Sequence, residues 1–173
     1  RFIVAGSIML VVAKLTKQKW PSFKELRNAC YIGFLLLILG NGGVVWAEQY
    51  IESGITALIV TIEPVWVVLI MWLRSKENKP IPIVVFGIIM GLIGIVLLVN
   101  PFEQVSFAQF KPLALVALLI SSICWAMGSV FGKNSKLPES SIISIGVQML
   151  FAGLGFMLIS FFHGDWNGFN INE

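Results

Sequence analysis

What the chain lacks narrows its chemistry first. It holds one histidine, two cysteines and 12% charged residues among 173. Its one aspartate, Asp165, stands two residues from that histidine, His163, in a polar stretch near the end. No nucleophile–base pairing, metal-ligand spacing or phosphate-cradling loop falls within the apolar runs. An enzyme built from these residues would have little to work with, and no cofactor or metal is expected. Cys30 and Cys124 both lie in apolar runs, which suggests neither a disulfide framework nor a zinc site. The net charge of +3 is parcelled into short loops rather than gathered in a stripe, so no nucleic-acid partner is expected. The chain opens at Arg1 without a methionine and closes in a polar stretch at Glu173. It reads as a fragment, with no signal peptide in view.

What is there is hydrocarbon. Hydrophobic residues make up 57% of the chain. Several runs approach or exceed the roughly 18 apolar residues that mark a membrane-crossing helix. The fold class expected is all-α, a polytopic transmembrane helical bundle. Six spans are expected: Arg1–Leu15 (short), about Asn28 to Trp46, Gly54–Leu73, Ile83–Val99, Pro112–Gly132 and Ser140–Phe162. Taking alternate loops, one side collects Lys14, Lys17, Lys19, Lys24, Arg27, Arg74, Lys76, Lys79, Lys133 and Lys136. The other holds only Arg1 and Lys111, beside Glu48, Glu52, Glu103, Asp165 and Glu173. Lysine and arginine favour the cytoplasmic side of a membrane, so the first set of loops is expected there.

The third span, Gly54–Leu73, is the unusual one. Glu63 stands at its midpoint, where a charged side chain costs roughly 2.5–3.5 kcal/mol on insertion scales. Pro64 follows and has no N–H, so the Val60 carbonyl loses its helical partner at the same depth. Thr56, Glu63 and Ile70 recur every seven residues and, with Val60 and Trp66, share one face of an unbroken helix. That face is expected to look into a bundle or cavity. Two readings stand for Glu63: a functional group of a solute or ion pathway, or a protonated structural partner beside a kink.

Other intramembrane polar and aromatic groups divide in the same way. Asn41, followed by Gly42 and Gly43, reads either as helix-packing glue or as pathway lining. Trp66 and Trp125 read either as cavity walls or as packing. Gly87-x-x-x-Gly91 is the small-residue pattern of a close helix contact. Trp46, Trp72 and Tyr50 fit interface anchors.

Two segments read alike: Arg1-Phe-Ile-Val-Ala-Gly6 and Gln148-Met-Leu-Phe-Ala-Gly153. By the loop charges the first runs toward the cytoplasm and the second away from it. A repeat in opposite orientations is the mark of an inverted-repeat transporter, whose site lies between the halves near the midplane. Arg1 and Gln148, related by the repeat, read as gate or cavity groups, or as snorkelling and packing. Alignment of the repeats implies about 35 residues before Arg1 and about 85 beyond Glu173, giving ten helices in two halves of five, of which about six are present.

The chain resembles the EamA-like branch of the drug/metabolite transporter superfamily. The resemblance rests on Arg1-Phe-Ile-Val-Ala-Gly6, Gly40-Asn-Gly-Gly-Val-Val-Trp-Ala-Glu-Gln49, Ser53-Gly-Ile-Thr-Ala-Leu58 and Pro64 with Trp66. It extends to Glu77 after the fourth helix, the glycine-spaced Gly87–Val99, and Trp125-Ala-Met-Gly128 with Lys133. It implies a ten-helix inverted repeat with both termini cytoplasmic, and export or exchange of metabolites or drugs. Residues 1–110 would be the first EamA-like repeat (helices 2–5), and 111–173 the start of the second (helices 6 and 7). Glu63 stands at a position where many members of the family are apolar or small, so its role does not carry over.

The expectation is therefore a permease or exporter in a bacterial-type inner membrane, not an enzyme. It would work by alternating access on a small-molecule substrate, with protons as a candidate coupled ion. Its pathway residues would be Glu63, Asn41, Thr56, Trp66, Trp125, Gln148 and Arg1. The alternatives are an integral-membrane enzyme or lipid-modifying protein with its catalytic groups elsewhere, and a non-transporting helical scaffold. Substrate, direction and oligomeric state are not legible.

Overall fold

The computed structural model describes residues 1–74, 81–99 and 111–163, and all regular structure in them is helical. Glu77, Glu103 and Asp165, and the loop lysines Lys76 and Lys79, lie outside the described residues. Four stretches are long and apolar enough to cross a membrane: Phe23–Ala47, Ser53–Arg74, Pro112–Asn134 and Ser141–Phe162. Phe2–Leu15 and Pro82–Gly94 are shorter apolar helices. Four of the six expected spans are thus long enough to cross, and the first and fourth fall among the shorter apolar helices. The chain divides into two compact units, Arg1–Ile38 with Ser135–Glu173, and Leu39–Asn134.

The first unit contains α1 (Phe2–Leu15), α2 (Phe23–Gly33) and α8 (Ser141–His163). The connection from α1 to α2 is set by local chemistry. Lys17 takes a left-handed conformation, φ 52°. Its N–H donates to the Lys14 carbonyl and that of Gln18 to the Ala13 carbonyl, the paired bonds of a Schellman stop. Ser22 then opens α2 with a capping box. Its N–H donates to Glu25 Oε2 at 2.7 Å, and the Glu25 N–H returns to Ser22 Oγ. Asn28 Nδ2 donates to the Lys136 carbonyl at 3.0 Å and anchors α2 to the loop before α8.

α1 and α8 run antiparallel and pack through their glycines. A Cβ on Gly6 would come within 2.8 Å of the Leu150 backbone nitrogen, and one on Gly153 within 2.9 Å of the Ile3 backbone nitrogen. The two contacts are reciprocal. Ile3 and Gly6 stand third and sixth in the first repeated segment, and Leu150 and Gly153 third and sixth in the second. The like-reading segments therefore pack on each other in opposite directions about a local two-fold relation. α2 closes the group, with Gly33 against the Gln148 backbone. Ala13, Ala29, Ile143 and Val147 form the unit's core, small residues letting backbones approach as membrane helix contacts require.

The second unit holds α3 (Gly42–Ala47), α4 (Ser53–Val60), α5 (Glu63–Arg74), α6 (Pro82–Val99) and α7 (Pro112–Asn134). The chain enters it through a widened, π-helical stretch, Phe34–Asn41. Such turns misalign backbone groups, and here Ser121 Oγ on α7 donates to the Leu39 carbonyl at 3.2 Å. Gly43 faces the same serine so closely that a Cβ would overlap Ser121 Oγ, the close approach expected of the Asn41-Gly42-Gly43 stretch. Ala47, Ile51, Ile55, Ala114 and Leu118 form this unit's core.

Two expectations are corrected. Gly54–Leu73 is not one helix. α4 ends at Val60, Thr61 and Ile62 make a turn, and α5 begins at Glu63. The cause is Pro64, whose ring and missing N–H disfavour continuation, while the first turn of a new helix accepts it readily. The seven-residue face through Thr56, Glu63 and Ile70 presumes continuity and does not survive the break. Likewise, the Gly87 and Gly91 positions make no close helix contact among the described residues. A Cβ at either would meet nothing within 4 Å.

Candidate functional site

The break in Ser53–Arg74 places Glu63 where a side chain can do chemistry. Thr61 closes the end of α4 with its own hydroxyl, Oγ1 donating to the Leu58 carbonyl at 2.6 Å. The Ile62 N–H falls back to Ile59 in a tighter turn. Glu63 opens α5 and is half-buried, with Pro64 exposed beside it. Carboxylates are favoured in the first turn of a helix, where free N–H groups gather.

Around this break lies a cleft of about 580 Å³ within the second unit. One wall is Val60, Thr61, Glu63 and Pro64, and the other is the α6 face carrying Val84, Gly87, Ile88, Gly91 and Leu92. The glycines that read as a helix contact instead leave room opposite Glu63. The cleft is hydrocarbon with one ionisable group among its described lining residues.

The remaining pathway candidates scatter. Thr56, one turn before Val60, is buried at 2% exposure, and its Oγ1 has no hydrogen-bond partner among the described residues. It does not line the cleft. Trp66 ties α5 to α7, its Nε1 donating to Ser122 Oγ at 3.1 Å, while that hydroxyl donates to the Leu119 carbonyl at 2.8 Å. Trp66 therefore holds a helix pair together. Trp125 is half-buried on α7, and Asn41 is half-buried before α3 without capping it. Neither lines the cleft.

Gln148 and Arg1 belong to the other unit. Gln148 Nε2 donates to Ser144 Oγ at 3.1 Å within α8. The Arg1 guanidinium lies over the Phe2 ring, 5.5 Å from its centroid. Within the second unit the structure thus groups Glu63 with Val60, Thr61 and the α6 glycines, and does not line that cleft with Thr56, Trp66, Asn41 or Trp125. Thr61 carries no mark in the sequence reading, although a hydroxyl three residues before an intramembrane proline is a signal for a helix-end cap. Among the described residues no three His, Cys, Asp or Glu side chains come together as a metal-binding set.

The family model of the EamA-like transporter family matches residues 1–100. The chain belongs to the EamA-like transporter family. Its curated relatives agree. An uncharacterized inner membrane transporter of Escherichia coli, YedA, is 36% identical over 166 residues, covering 95% of this chain and 52% of that protein. An uncharacterized transporter of Archaeoglobus fulgidus is 27% identical over 135 residues, 78% of this chain and 45% of its own length. The uncharacterized transporter YoaV of Bacillus subtilis is 22% identical over 160 residues, 92% and 54% of the two chains. The chain spans about half the length of the curated relatives it matches. No solved structure matches it significantly. EamA-like membership and an all-α membrane fold therefore stand together.

Proposed function

We propose that this EamA-like chain is part of a permease that moves small metabolites or drugs across a bacterial inner membrane by alternating access between two inverted repeats. Residues 1–110 would belong to the first and 111–173 to the second. The observation that supports this reading best is the reciprocal packing of Gly6 on Leu150 and Gly153 on Ile3. Two like segments meet head to tail about a local two-fold relation, the geometry inverted repeats produce. Glu63 is the group in this reading that carries a coupled proton or holds a polar or cationic part of the solute. A half-buried carboxyl at membrane depth is expensive unless it has such work. Thr56, Trp66, Asn41, Trp125, Gln148 and Arg1 would act as pathway or supporting groups, and the basic loops would face the cytoplasm.

Solute counterflow with the full-length protein in proteoliposomes, with and without a pH gradient, tests the reading. Saturable exchange is expected. Glu63→Gln keeps shape and hydrogen bonding but removes titration. If Glu63 couples protons, gradient-driven transport should fall at least tenfold, about 1.4 kcal/mol of barrier, while exchange without a gradient survives. If it holds a cationic solute, both modes should collapse. Wild-type rates in both modes would remove Glu63 from the pathway, and no exchange of any solute would remove the transport reading.

A further inference from the structure

Glu63 shares its cleft with Val60 and Thr61, whose backbone carbonyls lose their helical donors at the break. In an unbroken helix the Val60 carbonyl accepts from residue 64 and the Thr61 carbonyl from residue 65. Pro64 has no N–H to give. The Val65 N–H turns instead to the Ile62 carbonyl at 2.9 Å and bypasses Thr61. Val60, Thr61 and Glu63 all line the same cleft. Val60 and Thr61 stand at the C-terminal end of α4, where the helix dipole favours positive charge, and Glu63 opens α5. Glu63 and two residues whose carbonyls have no backbone donor among the described residues thus line one wall of the cleft, and the wall opposite is apolar.

The composition of that chamber separates the cations it could take. A bare metal ion asks for about six or more oxygens in a compact cage. This cleft offers fewer, faces them with Val84, Ile88 and Leu92, and is far roomier than one ion. An –NH₃⁺ group presents three donors, which three acceptors satisfy. The cleft's volume falls within the range of roughly 300–1,000 Å³ usual for small-molecule pockets. What the ammonium leaves unfilled suits an apolar body lying in the gap above Gly87 and Gly91. Among the described residues no lysine or arginine lines the cleft. A carboxylate on the ligand would go unpaired there, so zwitterionic amino acids are disfavoured.

We propose that the cleft binds a primary amine with an apolar body, an alkyl- or arylalkylammonium, through the Glu63 carboxylate and the Val60 and Thr61 carbonyls. This names the substrate class for the pathway proposed above and rests on that reading.

Equilibrium binding of radiolabelled 2-phenylethylamine to the purified full-length protein tests the proposal without requiring transport. Saturable binding is expected, with 2-phenylethanol and phenylalanine competing at least tenfold more weakly. Glu63→Gln should weaken binding at least tenfold. Gly87→Leu, which adds its side chain into open space, should abolish binding while leaving helicity and the unfolding temperature at wild-type values. Competition by 2-phenylethanol equal to that of the amine would overturn the proposal, as would undiminished binding by Glu63→Gln. Binding of sodium without binding of the amine would overturn it too. Amine binding without amine counterflow would support the site and sink the transport reading instead.

Discussion

The two units solve the same packing problem in opposite ways. In the first, glycine meets backbone: Gly6, Gly33 and Gly153 leave no room for even a methyl group. In the second, Gly43 still meets Ser121, but Gly87 and Gly91 face open space and a helix is broken at Thr61–Ile62. A buried hydroxyl on Thr56 also has no partner there among the described residues. Membrane helices gain little from burying hydrocarbon against hydrocarbon, so tight fit is what stabilises their contacts. A unit that forgoes tight fit along α6 and leaves a buried hydroxyl unpaired keeps space for something else, even though its Gly43 packs as closely as the glycines of the first. One residue type thus serves as a clasp in one place and a gap in another, and only its neighbours decide which.

Replacing the glycines puts this contrast under the most strain. Gly6→Val or Gly153→Val forces side-chain atoms into backbone and should destabilise by about 1–3 kcal/mol, toward the upper end because backbone yields poorly. Gly87→Ala and Gly91→Ala should be neutral or stabilising by up to about 1 kcal/mol, since only the flexibility of glycine is lost. Denaturant unfolding in detergent reads both. Equal losses in the two sets would erase the contrast between the units.

Thr56→Val comes next. Valine keeps the shape and removes a hydroxyl that is buried without a partner among the described residues. Stability should rise by about 1–3 kcal/mol, the cost of leaving such a group unsatisfied. A gain in stability accompanied by slower counterflow would assign the hydroxyl to function. A loss of stability would mean that it finds a partner in the folded protein. The smallest effect belongs to the first unit, at the left-handed Lys17. Lys17→Gly relieves that conformation, offset in part by the unfolded-state freedom of glycine, for a net gain of about 0.5 kcal/mol. An unchanged or lower unfolding temperature would mean that the positive φ costs nothing there.

Much of this is legible in the residues. Long apolar runs announce the helices, and Ser22-x-x-Glu25 is a start signal that the structure uses. The repeat is visible because Arg1–Gly6 and Gln148–Gly153 carry the same small residues at the same spacing, and those residues make the contact. The Glu63 environment is only half legible. Pro64 tells that a carbonyl loses its partner, but whether the chain kinks or stops and restarts depends on what packs around it. The stop dissolves the face through Thr56 and Ile70. Gly87 and Gly91 mislead for a related reason. A small-residue stripe admits a close neighbour or a void equally, and the neighbour is distant in sequence.

The clasp between Gly6 and Leu150, and between Gly153 and Ile3, also has an evolutionary consequence. Two stretches far apart in the chain share one steric allowance, so neither can drift alone. Across related sequences, bulk gained at position 153 should be met by its loss at 3, and bulk gained at 6 by its loss at 150. Paired substitution at those positions would be the inherited trace of the contact, readable without any coordinates.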